Sequence, residues 1–269
     1  MTSSQAPVLR IFSYLPNPRV WKSQIAADLC GVTLEVVGDK PAKLGEWLWD
    51  YDARALAEEE RTAASPHARE SRRGFSGTLY KTDAFLEAHP FGTVPAAFDP
   101  DGAVGVFESN SILRAVARAG GALYGRDGYE ASRIDSFLDA NLVFAREAQV
   151  YLLAMDAPAA ASHGRMMAAY EFYLAGVERA LARHPYLAGE ALSIADISFV
   201  CDFAQFLREG HYADALAQAG LTLVSRNGPA MYPRAYGHLL ELAARDEFAR
   251  HLGTYLNWYR QRIEEQDNA

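Results

Sequence analysis

Glu108 and Ser109 are the residues whose types and placement most directly point to chemistry. They follow Val104-Gly105-Val106-Phe107, which reads as a strand, and precede Ile112, Leu113 and Val116, which recur at helical spacing. A carboxylate and a hydroxyl thus stand where a strand ends and a helix begins. Backbone N–H groups are free at such a position, and the field there favours anions. The pair can hold a ligand that carries both a carboxylate and an amine. Ordinary helix capping uses the same residue types, so it stands beside ligand binding as a reading. Upstream, His89 to Phe98 contains Thr93-Val94-Pro95 and a second apolar run, with Asp99-Pro100-Asp101-Gly102 as the turn of a hairpin.

The elements that must position these residues begin at Val8–Tyr14, a first strand. Leu15-Pro16-Asn17-Pro18 forces a turn, with Asn17 suited to cap a helix and Pro18 to open it. The helix continues through Val20, Trp21, Ile25 and Leu29 and stops at Gly31; Val32–Val37 is a second, β-branched strand. Strand, helix and strand of these lengths imply a parallel βαβ unit. Residues 38–80 interrupt it with Trp47, Trp49 and Tyr51, a charged helical segment at about Asp52–Ala64, and a basic loop at Arg69–Gly74. The tryptophans either pin this insertion to the body or wall an aromatic pocket. A short helix at Thr82–Ala88, capped by Thr82 or Asp83, then leads into the hairpin.

The pattern changes near Gly120-Gly121. The reading is α/β plus all-α: a first domain at 1–122 and an all-helical domain at 123–269. In the second, Ile134, Phe137 and Leu138 recur at helical spacing, as do Met166, Tyr170, Tyr173 and Val177. Ser193 and Asp196 form a capping box, chiefly a folding device. Leu252, Leu256 and Tyr259 mark a final helix that packs back on the body, and the polar end Gln266–Ala269 is expected to fray.

Composition narrows the function classes. Half of the 269 residues are hydrophobic, enough for a full core, and the formal net charge is -8. Basic residues do not alternate with aromatics, so a nucleic-acid surface is not expected. Cys30 and Cys201 are the only cysteines, which argues against a disulfide framework, a zinc site or a dithiol centre. Met1–Pro7 does not read as a signal peptide, and no apolar run has the length of a membrane span. A cytoplasmic protein with neither membrane nor nucleic-acid partners is the expectation, with no metal.

Thr93-Val94-Pro95, Phe107-Glu108-Ser109-Asn110-Ser111-Ile112 and Ser193-Ile194-Ala195-Asp196-Ile197, in this order, resemble the cytosolic glutathione transferases. Tyr14 to Lys22 and Val106 to Ile112 are similar to the branch that includes the transferase-like domain of the elongation factor 1 gamma subunit. The resemblance implies a thioredoxin-like first domain, an all-helical glutathione transferase domain after it, and glutathione as co-substrate. It implies a cis Val94-Pro95 bond, Val94 pairing with the cysteinyl part, Glu108 taking the γ-glutamyl amine and Ser109 its carboxylate. Thr93 departs from the family's longer Lys or Gln at the glycyl end.

Such enzymes hold the tripeptide sulfur as a thiolate, against a free thiol value of about 8.5. The residues placed to do this after the first strand are Asn17, Arg19, Ser13 and Tyr14, with Asn17 and Arg19 foremost. Asn17 can donate an N–H, and Arg19 supplies a permanent charge. Trp47, Trp49, Phe144 and Tyr151, with Phe137, Tyr170 and Tyr173, are the candidate walls for an aromatic electrophile. Attack on an aryl ether of a lignin-derived dimer is the specific possibility. The alternative is a non-catalytic, transferase-like interaction module; glutaredoxin-like exchange is disfavoured because no cysteine heads the first helix. A homodimer or a heterodimer with a related chain is implied by the family.

Overall fold

The computed structural model describes residues 6–71, 75 and 77–267. The expectations for the first five residues, for Arg72-Arg73-Gly74 and for the last two residues fall outside that range. The chain divides into two compact units, Met1–Gly121 and Ala122–Ala269.

The first unit opens with β1 (Leu9–Tyr14), α1 (Pro18–Cys30) and β2 (Leu34–Asp39). Local signals set α1: the Asn17 side chain accepts the Arg19 N–H, Pro18 is its first residue, and Gly31 closes it at φ 67°. The insertion carries β3 (Trp47–Trp49), β4 (Arg54–Ala55), β5 (Ala68–Glu70) and β6 (Thr78–Lys81). Next come α2 (Asp83–Ala88), β7 (Ala96–Phe98), β8 (Gly105–Phe107) and α3 (Ser109–Gly120). The main sheet has the order β2-β1-β7-β8, with β1 and β2 parallel and the hairpin antiparallel. This is the thioredoxin-like arrangement that the resemblance implies. Gly105 has no room for a side chain, since a Cβ there would lie 2.4 Å from the Ala88 carbonyl oxygen.

The insertion forms a sheet of its own, ordered β4-β3-β6-β5. It does not contain the expected helix at Asp52–Ala64; that stretch holds β4 and a 3-10 turn at Glu58–Glu60. The Ala, Glu and Arg content favours a helix, but the segment has no apolar stripe to bury. Its charges are met locally instead: Arg54 grips Glu60 with two N–H groups, and Glu60 accepts the Ala57 N–H. The insertion and the main sheet share one core, in which Phe12, Ala96 and Phe98 meet Leu44, Trp49, Leu79 and Phe85.

The second unit runs through α4 (Gly128–Leu153), α5 (Ala160–Leu181), α6 (Ile194–Phe206), α7 (Ala213–Gln218), α8 (Gly228–Met231), α9 (Pro233–Ala243) and α10 (Asp246–Asp267). Aromatic rings fill its centre; Phe144 stacks on Tyr173 with centroids 4.8 Å apart. Asp196 is buried and fully used by structure. Its carboxylate accepts the Ser193 and Leu187 N–H groups and the Ser193 hydroxyl, and faces His238 Nε2 at 2.9 Å. No helix among the described residues is long and apolar enough to cross a membrane.

Candidate functional site

Strand register assembles the site. β1 pairs with β7 as Ile11 with Ala97 and Phe12 with Ala96, and β7 pairs with β8 as Ala96 with Phe107. At this end of the sheet β1 finishes with Ser13 and Tyr14, and Val94-Pro95 leads into β7. At the same end β8 runs out into Glu108 and Ser109 at the head of α3. The Val94-Pro95 peptide is cis, as is Leu15-Pro16. Residues far apart in sequence, at 14, 94 and 108–109, therefore converge at one end of the main sheet, beside the heads of α1 and α3.

Glu108 is exposed and sits at φ 66°, ψ 124°, a backbone region that non-glycine residues seldom occupy. Such a conformation persists only where its surroundings enforce it. Its carbonyl accepts the Ser111 and Ile112 N–H groups, so its backbone caps α3, while its side chain makes no cap hydrogen bond. The carboxylate is thus turned out to solvent beside a buried Ser109. Lys22 Nζ reaches this helix head from α1. It donates to Asn110 Oδ1 at 3.0 Å and lies 3.4 Å from Ser109 Oγ.

The residues expected to activate a thiol separate into two pairs. Ser13 and Asn17 are both 0% exposed. Asn17 Oδ1 accepts the Arg19 N–H at 2.9 Å, and its Nδ2 donates to Ser13 Oγ at 3.0 Å. Both are turned into the fold, where they hydrogen-bond to each other and Asn17 also to the Arg19 backbone. Alternation along β1 and the demand of the helix cap account for it. Tyr14 and Arg19 are half-buried and remain accessible. Burial pushes the Tyr14 phenol up, and the Arg19 charge pulls it back, which places the two groups within electrostatic reach of each other.

The aromatic walls are corrected as well. Trp49 is fully buried, with Nε1 donating to the Leu44 carbonyl, and Trp47 packs on the same cluster. Phe144 and Tyr151 lie in the core of the second unit, where the Tyr151 hydroxyl donates to the buried Glu209. These rings supply packing, because their positions at helical or strand spacing face inward. Tyr170 borders a cavity of about 440 Å³ in the second unit, with Met167, Glu171, Arg226 and Met231.

Residues 18–119 match the family model described as glutathione S-transferase, N-terminal domain. That span contains α1, Val94-Pro95 and Glu108-Ser109. Over that span the chain resembles the N-terminal domain of the glutathione transferases. Elongation factor 1-gamma 2 of Oryza sativa subsp. japonica is 36% identical over 138 residues, which are 47% of this chain and 31% of that protein. Glutathione S-transferase F9 of Arabidopsis thaliana is 29% identical over 131 residues, 44% of this chain and 60% of that protein. The match thus spans less than two thirds of the length of either relative. Among solved structures, the glutathione transferase URE2P8 from Phanerochaete chrysosporium, with oxidized glutathione, superposes with a TM-score of 0.65 at 15% identity. That superposition covers 96% of this chain and 99% of the other. A family member from Pseudomonas fluorescens pf-5 with two glutathione bound gives 0.62 at 19% identity, covering 93% and 95%. At these identities the likeness is one of fold.

Two cations of the first unit escaped the sequence reading. Lys22 falls four residues after Pro18 and three before Ile25, on the buried face of α1. That helical spacing was the available signal. Lys81, in β6, donates to the Gly92 carbonyl at 2.7 Å and lies 4.5 Å above the Trp49 ring, and desolvation pushes its ammonium down. No local pattern announces Lys81, because the loop it meets is 11 residues away. Its partner Gly92 immediately precedes Thr93 in the chain.

Proposed function

We propose that this chain is a glutathione transferase, on the one observation that register brings Tyr14, Val94 and Glu108-Ser109 to the same end of the main sheet. The Val94 backbone pairs with the cysteinyl part of glutathione like an added strand. Glu108, exposed and with a side chain that makes no cap hydrogen bond, takes the γ-glutamyl amine, and Ser109 takes the neighbouring carboxylate. Lys81 meets the glycyl carboxylate that Thr93 is too short to reach. Arg19, with Tyr14 beside it, favours the thiolate. The thiolate attacks an electrophilic carbon, a C–S bond forms, and the leaving group departs with its bonding pair. The electrophile is proposed to be aromatic, and an aryl ether of lignin-derived type is its finest form.

The test is calorimetric titration with glutathione, then turnover of an aryl halide and of an aryl ether dimer. No binding at saturating glutathione would end the proposal, whereas turnover of the halide without the ether would remove only the ether. Ser109→Ala is expected to weaken glutathione binding about tenfold or more, since it removes a hydrogen bond to a charged group.

A second reading, a non-catalytic interaction module, is favoured by one observation, the 36% identity to an elongation factor 1-gamma. It expects a stable hetero-complex and no glutathione binding. Size-exclusion chromatography with light scattering separates a homodimer from a chain that needs a different partner.

A further inference from the structure

Lys22 is 1% exposed, and its ammonium ends at the first two residues of α3. An ammonium has three N–H donors and no acceptor. Every hydrogen bond Lys22 makes there is therefore given by Lys22. Asn110 must present Oδ1, and the Ser109 oxygen must face Nζ with a lone pair. The Ser109 hydroxyl proton is then directed away from Lys22. A serine at a helix head otherwise has a free choice, because its hydroxyl can donate or accept. A carboxylate ligand needs the donor; an amine needs the acceptor.

We propose that Lys22 is a positioning residue that holds the Ser109 hydroxyl as a donor and so makes this helix head selective for a carboxylate. The proposal rests on the glutathione reading above, since it concerns the γ-glutamyl carboxylate at that same site. Glu108, one residue away and on the exposed side, keeps the amine of the same ligand. The helix head thus has two differentiated contacts: an acceptor at Glu108 for the amine and an enforced donor at Ser109 for the acid. Lys22 touches neither ligand group in this scheme. It acts through Ser109 and through its charge, which lies behind the hydroxyl.

The experiment compares three ligands on the full chain: glutathione, the analogue in which a 4-aminobutyryl group replaces the γ-glutamyl residue and so keeps the amine but lacks the carboxylate, and the γ-glutamyl α-amide of glutathione, which lacks only the carboxylate charge. Wild type is expected to prefer glutathione over the α-amide by about tenfold or more. In Lys22→Met that preference is expected to shrink to about twofold, with KM for glutathione rising and kcat largely kept. Lys22→Arg is expected to restore it. A purely structural role would weaken glutathione and its α-amide alike and leave their ratio unchanged, and that result would overturn the proposal. If Lys22→Met does not fold, Lys22→Leu carries the same comparison, and a wild-type ratio there overturns it equally. Wild type that binds none of the ligands overturns the glutathione reading together with this one. Wild type that binds glutathione while the Lys22 variants keep the ratio overturns this inference alone.

Discussion

The side-chain amide of Asn17 donates to the hydroxyl of Ser13 across 3.0 Å, with both groups sealed from solvent. The bond ties the end of β1 to the head of α1 and uses the Asn17 carbonyl oxygen for the Arg19 N–H at the same time. One asparagine therefore joins two elements and closes the first turn of a helix. The accessible chemistry of that turn passes to its neighbours, Tyr14 and Arg19.

Asn17→Ala is expected to lower stability by about 1–2 kcal/mol, through the lost cap and an unmet Ser13 hydroxyl. Arg19→Ala is expected to move the apparent pKa of bound glutathione upward. Thermal melts and the pH dependence of thiolate absorbance measure the two. A shift of the thiol pKa in Asn17→Ala equal to that in Arg19→Ala would return Asn17 to the chemistry.

Glu108 at φ 66° holds its carboxylate outward at a conformational penalty of about 1–3 kcal/mol. Glycine adopts that backbone without strain. Glu108→Gly is expected to keep or raise stability while weakening glutathione binding about tenfold. Denaturant unfolding and calorimetry of the same variant read both sides. A destabilised variant with normal affinity would show that the side chain serves the fold.

Trp49 contacts Phe12, Phe75 and Phe85 edge-on in the shared core. Trp49→Ala is expected to cost about 3–5 kcal/mol, a cavity-forming loss, and Trp47→Ala less. Urea midpoints measure it. If Trp49→Ala instead folds like wild type and changes only the KM for an aromatic electrophile, the ring belongs to a pocket after all.

His89 is 1% exposed, packed 5.0 Å from the Phe85 ring and 4.7 Å from that of Phe98. Burial holds its pKa down to about 4, against the ordinary 6.5. Between those values the unfolded chain binds a proton that the folded chain refuses. The contribution is therefore fully present above about pH 6.5 and is lost as pH falls toward about 4, by up to roughly 3 kcal/mol. Unfolding free energies of wild type and His89→Leu across that window are expected to diverge as pH falls, wild type losing more. Parallel curves would place the acid sensitivity elsewhere.

What was legible in the sequence was local. Asn17, Pro18 and Gly31 delimit α1, and the turn at Asp99–Gly102 defines the hairpin, because caps and turns are decided within a few residues. The helix head at Glu108-Ser109 was readable for the same reason. Its positive φ was not, since the surrounding fold imposes it. Long-range packing decided the rest. The second sheet of the insertion depends on β3 pairing with β6, across about thirty residues of intervening chain. Trp49 became core because Phe12 and Phe98 of the main sheet meet it there. Lys22 looks like any helix lysine until α3 packs against α1 and delivers Ser109 and Asn110 to its ammonium. By itself, then, this sequence determined where helices and turns begin and end and where a carboxylate and a hydroxyl meet a helix head. Only the tertiary structure decided which neighbouring polar groups face inward and which stay within reach of a ligand, because burial follows from partners distant in the chain.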